Sequence, residues 1–165
     1  MFDLRASSVD AGNPRYRLGA VVKRSAELTP LSHEHHQTLF VAIGLKRAEG
    51  EGSEAAAAFL DYHEATGEHH FEIEEQVLLP GWLAADPDGD ADSARRVLAE
   101  HLEIRTATAR LRAGEAAADE LQALGRLLER HVRYEERELF PMIESRLDDE
   151  ALRSLGAAIA IAEAE

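Results

Sequence analysis

Two stretches of the chain are alike. Residues 70–80 read HFEIEEQVLLP and residues 131–141 read HVRYEERELFP, with five of eleven residues identical at an offset of 61. Both fit H-x-x-x-E-E-x-x-L-x-P, and each follows a Glu-His pair, Glu34-His35 before the first and Glu100-His101 before the second. On a helix, residues i and i+4 stack on one face about 6 Å apart along the axis. His70 therefore points the same way as Glu74, and His131 the same way as Glu135. Val77 and Leu78 share the first face, and Leu124, Leu127 and Leu128 the second, which puts the imidazole–carboxylate pairs inside a helical assembly. A buried carboxylate is costly unless paired or metal-bound, so two of them among imidazoles invite cations. An i,i+4 His/Glu pair is also an ordinary surface pair, and with 22 Glu in 165 residues the eight His should meet one about once by chance. The repeat, its shared leucine–proline ending and the Glu-His pairs favour the metal.

Composition narrows the chemistry. There is no Cys, which removes disulfides, thiolate catalysis and thiolate metal sites. A metal must then be held by His and carboxylate, and mixed N/O donors make iron the first expectation, with manganese or zinc behind it. Two carboxylates from two helices can bridge two metals while histidines terminate them. The 18 basic and 32 acidic residues give a net charge of −14, which argues against nucleic acid or an anionic membrane as main partner. The longest apolar runs, 55–60 and 157–162, are far short of a membrane span. The first residues (MFDLRASSVDAG) lack a signal peptide's apolar stretch, so a cytoplasmic location is expected.

Ala, Leu, Glu and Arg dominate and strand signals are absent, so the expected fold is all-α. Residues 1–28 read as an N-terminal extension with a turn at Gly12-Asn13-Pro14. Thr29-Pro30 opens a first helix that Gly50 and Gly52 stop, with Leu31, Leu39, Ala42 and Ile43 at helical spacing. Ser53 caps a second helix running to Leu79, with Gly67 a soft spot and Pro80 the stop. Residues 80–92 read as the longest connection, Asp92 or Ser93 as the cap of a third helix ending near Gly114. A fourth helix runs from about Glu115 past Glu138, with Pro141 a kink or break, and a fifth spans Asp149 to Ile161. Four long helices with short links imply an antiparallel up-down-up-down four-helix bundle over 29–146, with a short C-terminal helix in 147–165 packed on it.

Over about residues 29–145 these motifs resemble the hemerythrin-like family, also called the HHE cation-binding domain. The resemblance implies a four-helix bundle around two oxo- or hydroxo-bridged iron ions, with His35, His70, Glu74, His101, His131 and Glu135 as metal ligands. Glu74 and Glu135 would be the bridges. Oxygen carriers of that family have a further His one turn after the third-helix ligand, where this chain has Arg105. Four His and two Glu leave more open coordination positions, which favours chemistry or ligand exchange over oxygen carriage. The expected function is therefore binding or reaction with O2, peroxide or nitric oxide in sensing or stress defence, with such a small molecule as partner. A peroxide- or nitric-oxide-reactive activity is left open, as is association with a second copy. The alternative is iron storage or donation, as in the family's iron–sulfur-repair branch, which usually carries a Cys-bearing N-terminal region.

Other residues receive quieter expectations. His36 is the alternative to His35, whose Glu-His register is favoured. His33 and His69 lie about 100° off the ligand face and are expected at the surface. His63, seven residues before His70, is read as on the same face but too far along the axis to share its donors, with a packing, outer or channel role. Arg105 either pairs with a carboxylate such as Glu138 or snorkels to solvent. Glu75 and Glu136 rotate away from the centre and are expected mainly at the surface. Tyr62 and Tyr134 are expected to pack as buried aromatics. The E-x-x-H pair of ferritin-like bundles and the H-E-x-x-H zinc-protease pattern are both missing.

Overall fold

A computed structural model describes residues 24–49 and 53–164. The expected turn at 12–14, the stops at Gly50 and Gly52 and most of the 1–28 extension lie outside these residues. The described residues are helical, with no strand among them. Helix α1 spans Thr29–Leu45. Helix α2 is one uninterrupted rod of α-helical Glu54–Tyr62, Glu68–Ile73 and Leu79–Ala85, joined by π turns at His63–Gly67 and Glu74–Leu78. Helix α3 spans Ala91–Arg112. Helix α4 joins Ala118–Tyr134 to Phe140–Arg146 through a π turn at Glu135–Leu139. Helix α5 spans Asp149–Ala162. None of these helices is long and apolar enough to cross a membrane.

Neither Pro80 nor Pro141 ends its helix. A proline inside a helix removes one N–H and crowds the carbonyl four residues back. Here the turn before each proline widens instead, with Leu79 N–H donating to Glu74 C=O and Phe140 N–H to Glu135 C=O, five residues back. The widening also keeps one face in phase. His70, Glu74, Leu78 and Trp82 are all buried, as are His131, Glu135, Leu139 and Ile143. At 100° per residue, twelve residues overshoot a face by about 120°. The extra residue absorbed by a π turn takes back about 100° of that. The expected long connection at 80–92 shrinks in consequence, since α2 continues to Ala85.

Caps also shift by a residue or two. Ser53 accepts from Ala56 N–H as expected. Asp90, not Asp92 or Ser93, caps α3, because its non-helical backbone lets the carboxylate reach both N–H groups ahead. Thr29 is the first helical residue, and its hydroxyl donates back to Ser25 C=O at 2.6 Å. Gly114 closes α3 at φ 71°, a backbone angle that favours glycine.

Residue pairs between neighbouring helices run in opposite order. Thr38 meets Tyr62 and His35 meets His70 between α1 and α2. Lys46 meets Glu129 and His35 meets Glu136 between α1 and α4, while Ser93 meets Tyr134 and Glu100 meets His131 between α3 and α4. The apolar interior forms two clusters. One contains Leu31, Leu78, Trp82, Val97, Leu139 and Ile143, joined by Leu28 and by Leu155 and Ile159 of α5. The other contains Val41, Phe59, Phe71, Ile104, Leu124 and Leu128. On all four long helices a buried His or Glu lies between a residue of one cluster and a residue of the other. Ile43, expected at the interior stripe, is exposed, as is Phe40.

Candidate metal centre

The polar layer between the clusters gathers all six residues of the expected set. His35, His70, Glu74 and Glu135 bring donor atoms within 4.8 Å of one another, and so do Glu74, His101, His131 and Glu135. Both glutamates belong to both groups. Glu74 Oε1 lies 3.3 Å from His70 Nε2, and its Oε2 lies 3.2 Å from His101 Nε2. Glu135 mirrors it, with Oε1 3.3 Å from His131 Nε2 and Oε2 3.2 Å from His35 Nε2. Within each group the two Nε2 atoms are 3.2 Å apart. Donors around one metal at about 2.1 Å sit roughly 3.0–3.4 Å from each other, so these spacings suit a cation in each group.

The outer ring nitrogens are all taken. His35 Nδ1 lies 2.7 Å from Glu136, His70 Nδ1 2.6 Å from Glu34, His101 Nδ1 2.8 Å from Glu75 and His131 Nδ1 3.0 Å from Glu100. An Nδ1–H that donates outward leaves Nε2 of a neutral imidazole as an inward lone pair, the orientation metal-binding histidines commonly have. Ring stacking holds two of them further: His35 on Phe140 and His101 on Phe71, with centroids 5.5 and 3.9 Å apart. Three of the outer carboxylates are themselves held by arginine. Arg24 reaches Glu136 at 2.9 Å, Arg105 reaches Glu75 at 2.7 Å and Arg96 reaches Glu100 at 3.2 Å.

The donors suit a cation on a further count. Glu74 and Glu135 are fully buried, yet none of their four oxygens has a hydrogen-bond partner. Buried polar atoms are normally satisfied, so four orphaned oxygens facing four imidazoles mark a place for a positively charged guest. Without one, the charged forms of His35, His70 and His101 are favoured. Burial opposes ionisation of Glu74, but His70 and His101 outweigh it and hold the carboxyl well below its usual range. Burial likewise opposes charge on His70, His35 and His101, and the facing glutamates still raise all three above the ordinary imidazole value. Protons and a metal thus compete for the same lone pairs.

Residues outside the six are sorted by the same geometry. His35 is buried in the layer whereas His36 is exposed, as is His33. His69 is half-buried at the surface beside Glu72. His63 does not share the face of His70, because the π turn at His63–Gly67 rotates it away, and it packs edge-on to Phe59 and Phe71. Both its ring nitrogens lack a hydrogen bond, and burial lowers its pKa. Arg105 pairs with Glu68 and Glu75, not with Glu138. Tyr134 is buried and donates to Ser93 Oγ, and half-buried Tyr62 meets Thr38 Oγ1 at 2.5 Å. Glu75 and Glu136 are not simply surface residues, since each holds an imidazole. The four outer carboxylates do not stand out as a set in the sequence, where the doubled Glu-His and Glu-Glu dipeptides are their one signal.

No curated protein and no solved structure gives a significant match to the chain. A family model does match, over residues 28–143, which takes in all six clustered residues and all four outer carboxylates. The chain belongs to the hemerythrin HHE cation-binding domain family.

Proposed function

We propose that the chain is a cytoplasmic non-haem di-iron protein that binds or reacts with O2, peroxide or nitric oxide, in sensing or stress defence. In this reading His35, His70, Glu74 and Glu135 would hold one ion, and Glu74, His101, His131 and Glu135 would hold the other. The observation that supports it most is the set of four orphaned carboxylate oxygens, each glutamate shared between both imidazole pairs. Iron bound there would supply one-electron chemistry toward small oxygen- and nitrogen-containing ligands. The chain's own residues do the rest. Glu34, Glu75, Glu100 and Glu136 hold the imidazoles in place, and the two apolar clusters keep water from both ends of the layer. Arg105 occupies the position of a further histidine and brings no donor atom, because its guanidinium is committed to Glu68 and Glu75. Positions for an incoming ligand follow from that shortage of terminal donors.

Elemental analysis of the purified protein, with optical spectra before and after adding peroxide or nitric oxide, tests the reading. The expected result is about two irons per chain and a near-ultraviolet band that the small molecules change. Well-folded protein that stays iron-free after iron-replete expression, or carries only manganese or zinc, would sink it. Iron that leaves rapidly and stoichiometrically for an apo acceptor, without any response to peroxide or nitric oxide, would point to storage or donation instead.

A further inference from the structure

The acidic chain concentrates arginine in one place. Arg126, Arg130, Arg133 and Arg137 follow one another at spacings of four, three and four along α4, and Arg96 faces them from α3. Together with Tyr134 they line a surface cavity of about 440 Å³. Residues so spaced form a single helix stripe about 16 Å long. Like charges at these spacings repel and weaken a helix. Little offsets that repulsion. The lining contains two carboxylates, Glu129 and Glu138, and Glu129 is shared between Arg133 and Lys46. Arg96 and Arg130 converge on the same Glu100 oxygen, at 3.2 and 3.6 Å. Arg126 and Arg137 have no ion-pair partner among the described residues. The Arg96 guanidinium also lies 3.6 Å over the Tyr134 ring, which holds its plane in place before any ligand arrives.

Guanidinium forks match phosphate oxygens and bind them in pairs. We propose that this cavity binds a small molecule bearing two or more linked phosphate groups. Its size falls within the range of small-molecule sites, roughly 300–1,000 Å³. One phosphate would engage only part of a stripe of this length, whereas a linked chain reaches several arginines together. A nucleic-acid strand fits less well. It would run beyond the cavity onto a surface whose net charge is −14, and repulsion would act along its length. Glu100 joins the cavity to the metal layer, since its other oxygen accepts from His131 Nδ1. Arg96 and Arg130 are therefore left intact in the test, and the two unpartnered arginines are removed.

The test is calorimetric titration of the purified full chain with inorganic triphosphate, ATP, orthophosphate and a short single-stranded oligonucleotide. Triphosphate should bind, and orthophosphate should bind at least about tenfold more weakly. The double variant R126A/R137A should lose about tenfold or more in triphosphate affinity with its helical circular dichroism unchanged. The control pair R47A/R153A removes the same charge from exposed positions elsewhere and should change affinity by less than about twofold. ATP binding tighter than triphosphate assigns the site to a nucleotide, and equal affinities assign it to the phosphate chain alone. Absence of triphosphate and ATP binding up to about 1 mM, equal losses in both double variants, or binding of the oligonucleotide alone would overturn the proposal.

Discussion

Glu135 and Glu136, consecutive in sequence, grip one imidazole from its two ends: Glu135 Oε2 lies 3.2 Å from His35 Nε2, and Glu136 Oε1 lies 2.7 Å from His35 Nδ1. Glu74 and Glu75 do the same to His101, at 3.2 and 2.8 Å. Consecutive helical residues diverge by about 100°, so a pair can straddle a ring only if that ring comes from a neighbouring helix. The Glu-Glu dipeptide is thus a clamp, with the buried member facing the candidate metal centre and the half-buried member fixing the far nitrogen.

The far member should therefore matter to metal affinity although it touches no metal. Replacing Glu136 or Glu75 with Gln keeps size but removes the charge that orients and polarises the ring. Affinity should fall about 10- to 100-fold in either single variant, the usual cost of losing such a support. Competition with a coloured chelator measures it. Unchanged affinity in both would reduce these carboxylates to surface residues.

Acid stability should report the same clamp. Burial disfavours ionised Glu136, but His35, Ser32 and Arg24 outweigh it and bring its pKa from 4.5 to about 2. A depressed carboxyl gives stability that is complete above 4.5 and is lost as pH falls toward 2. His35 has the opposite sign: its raised pKa gives stability that is complete below 6.5 and is lost as pH climbs past its folded value. In metal-free protein the pair should thus stabilise most between about pH 4.5 and 6.5. Because Glu136 is partly exposed, screening limits its effect to about 1 kcal/mol. Urea melts of wild type and E136Q should differ at pH 6 and converge by pH 2.

His70, Glu74, His131 and Glu135 are legible in the sequence because each repeat displays its own His and Glu on one face, a property of one helix alone, whereas His35 and His101 enter through the upstream Glu-His pairs and the family resemblance. The outer carboxylates were hidden for the converse reason. Whether Glu75 reaches His101 depends on which helix lies beside it, and a single helix's periodicity holds no such information. The helix end expected at Pro80 fails because the rule that proline stops a helix assumes a fixed 3.6-residue turn, and at Pro141, where a kink or break is expected, the turn before the proline widens instead. In the structure the buried positions fall at strict four-residue intervals, 70, 74, 78, 82 and 131, 135, 139, 143, the spacing that a widened turn allows. For Arg105 the sequence leaves open an outer cation or a solvent-facing arginine, and it cannot name the partner, since Glu68 and Glu138 lie on different neighbours.

Stoichiometry should separate the shared carboxylates from the histidines. His70 belongs to one donor group, whereas Glu74 belongs to both. H70A should leave the group of Glu74, His101, His131 and Glu135 and retain about one metal per chain. E74A should lose most of both. A metal held at a hundred times its Kd stabilises the wild type by about 2.7 kcal/mol, so the metal-induced rise in Tm should shrink in H70A and vanish in E74A. Equal metal content in the two variants, read by elemental analysis beside calorimetric melts, would contradict the sharing.

Gly125 sets how closely α1 and α4 approach. A Cβ placed there would meet the Ala42 carbonyl oxygen at 2.7 Å and Lys46 N at 2.9 Å. Both are backbone atoms of the facing helix, so no rotamer change can relieve the contact and the helices must separate. Overpacking of this kind costs about 1–3 kcal/mol. G125A would otherwise stabilise, since alanine is favoured over glycine inside a helix by about 1 kcal/mol, so a net loss of stability reports the clash itself. Separation here falls two turns before His131 on α4 and about two turns after His35 on α1. Chemical denaturation should show the loss, and metal stoichiometry should stay at the wild-type value, because the Glu74 and Glu135 carboxylates are fixed by turns further along. A stable G125A would mean that the two helices are not held at this distance in solution.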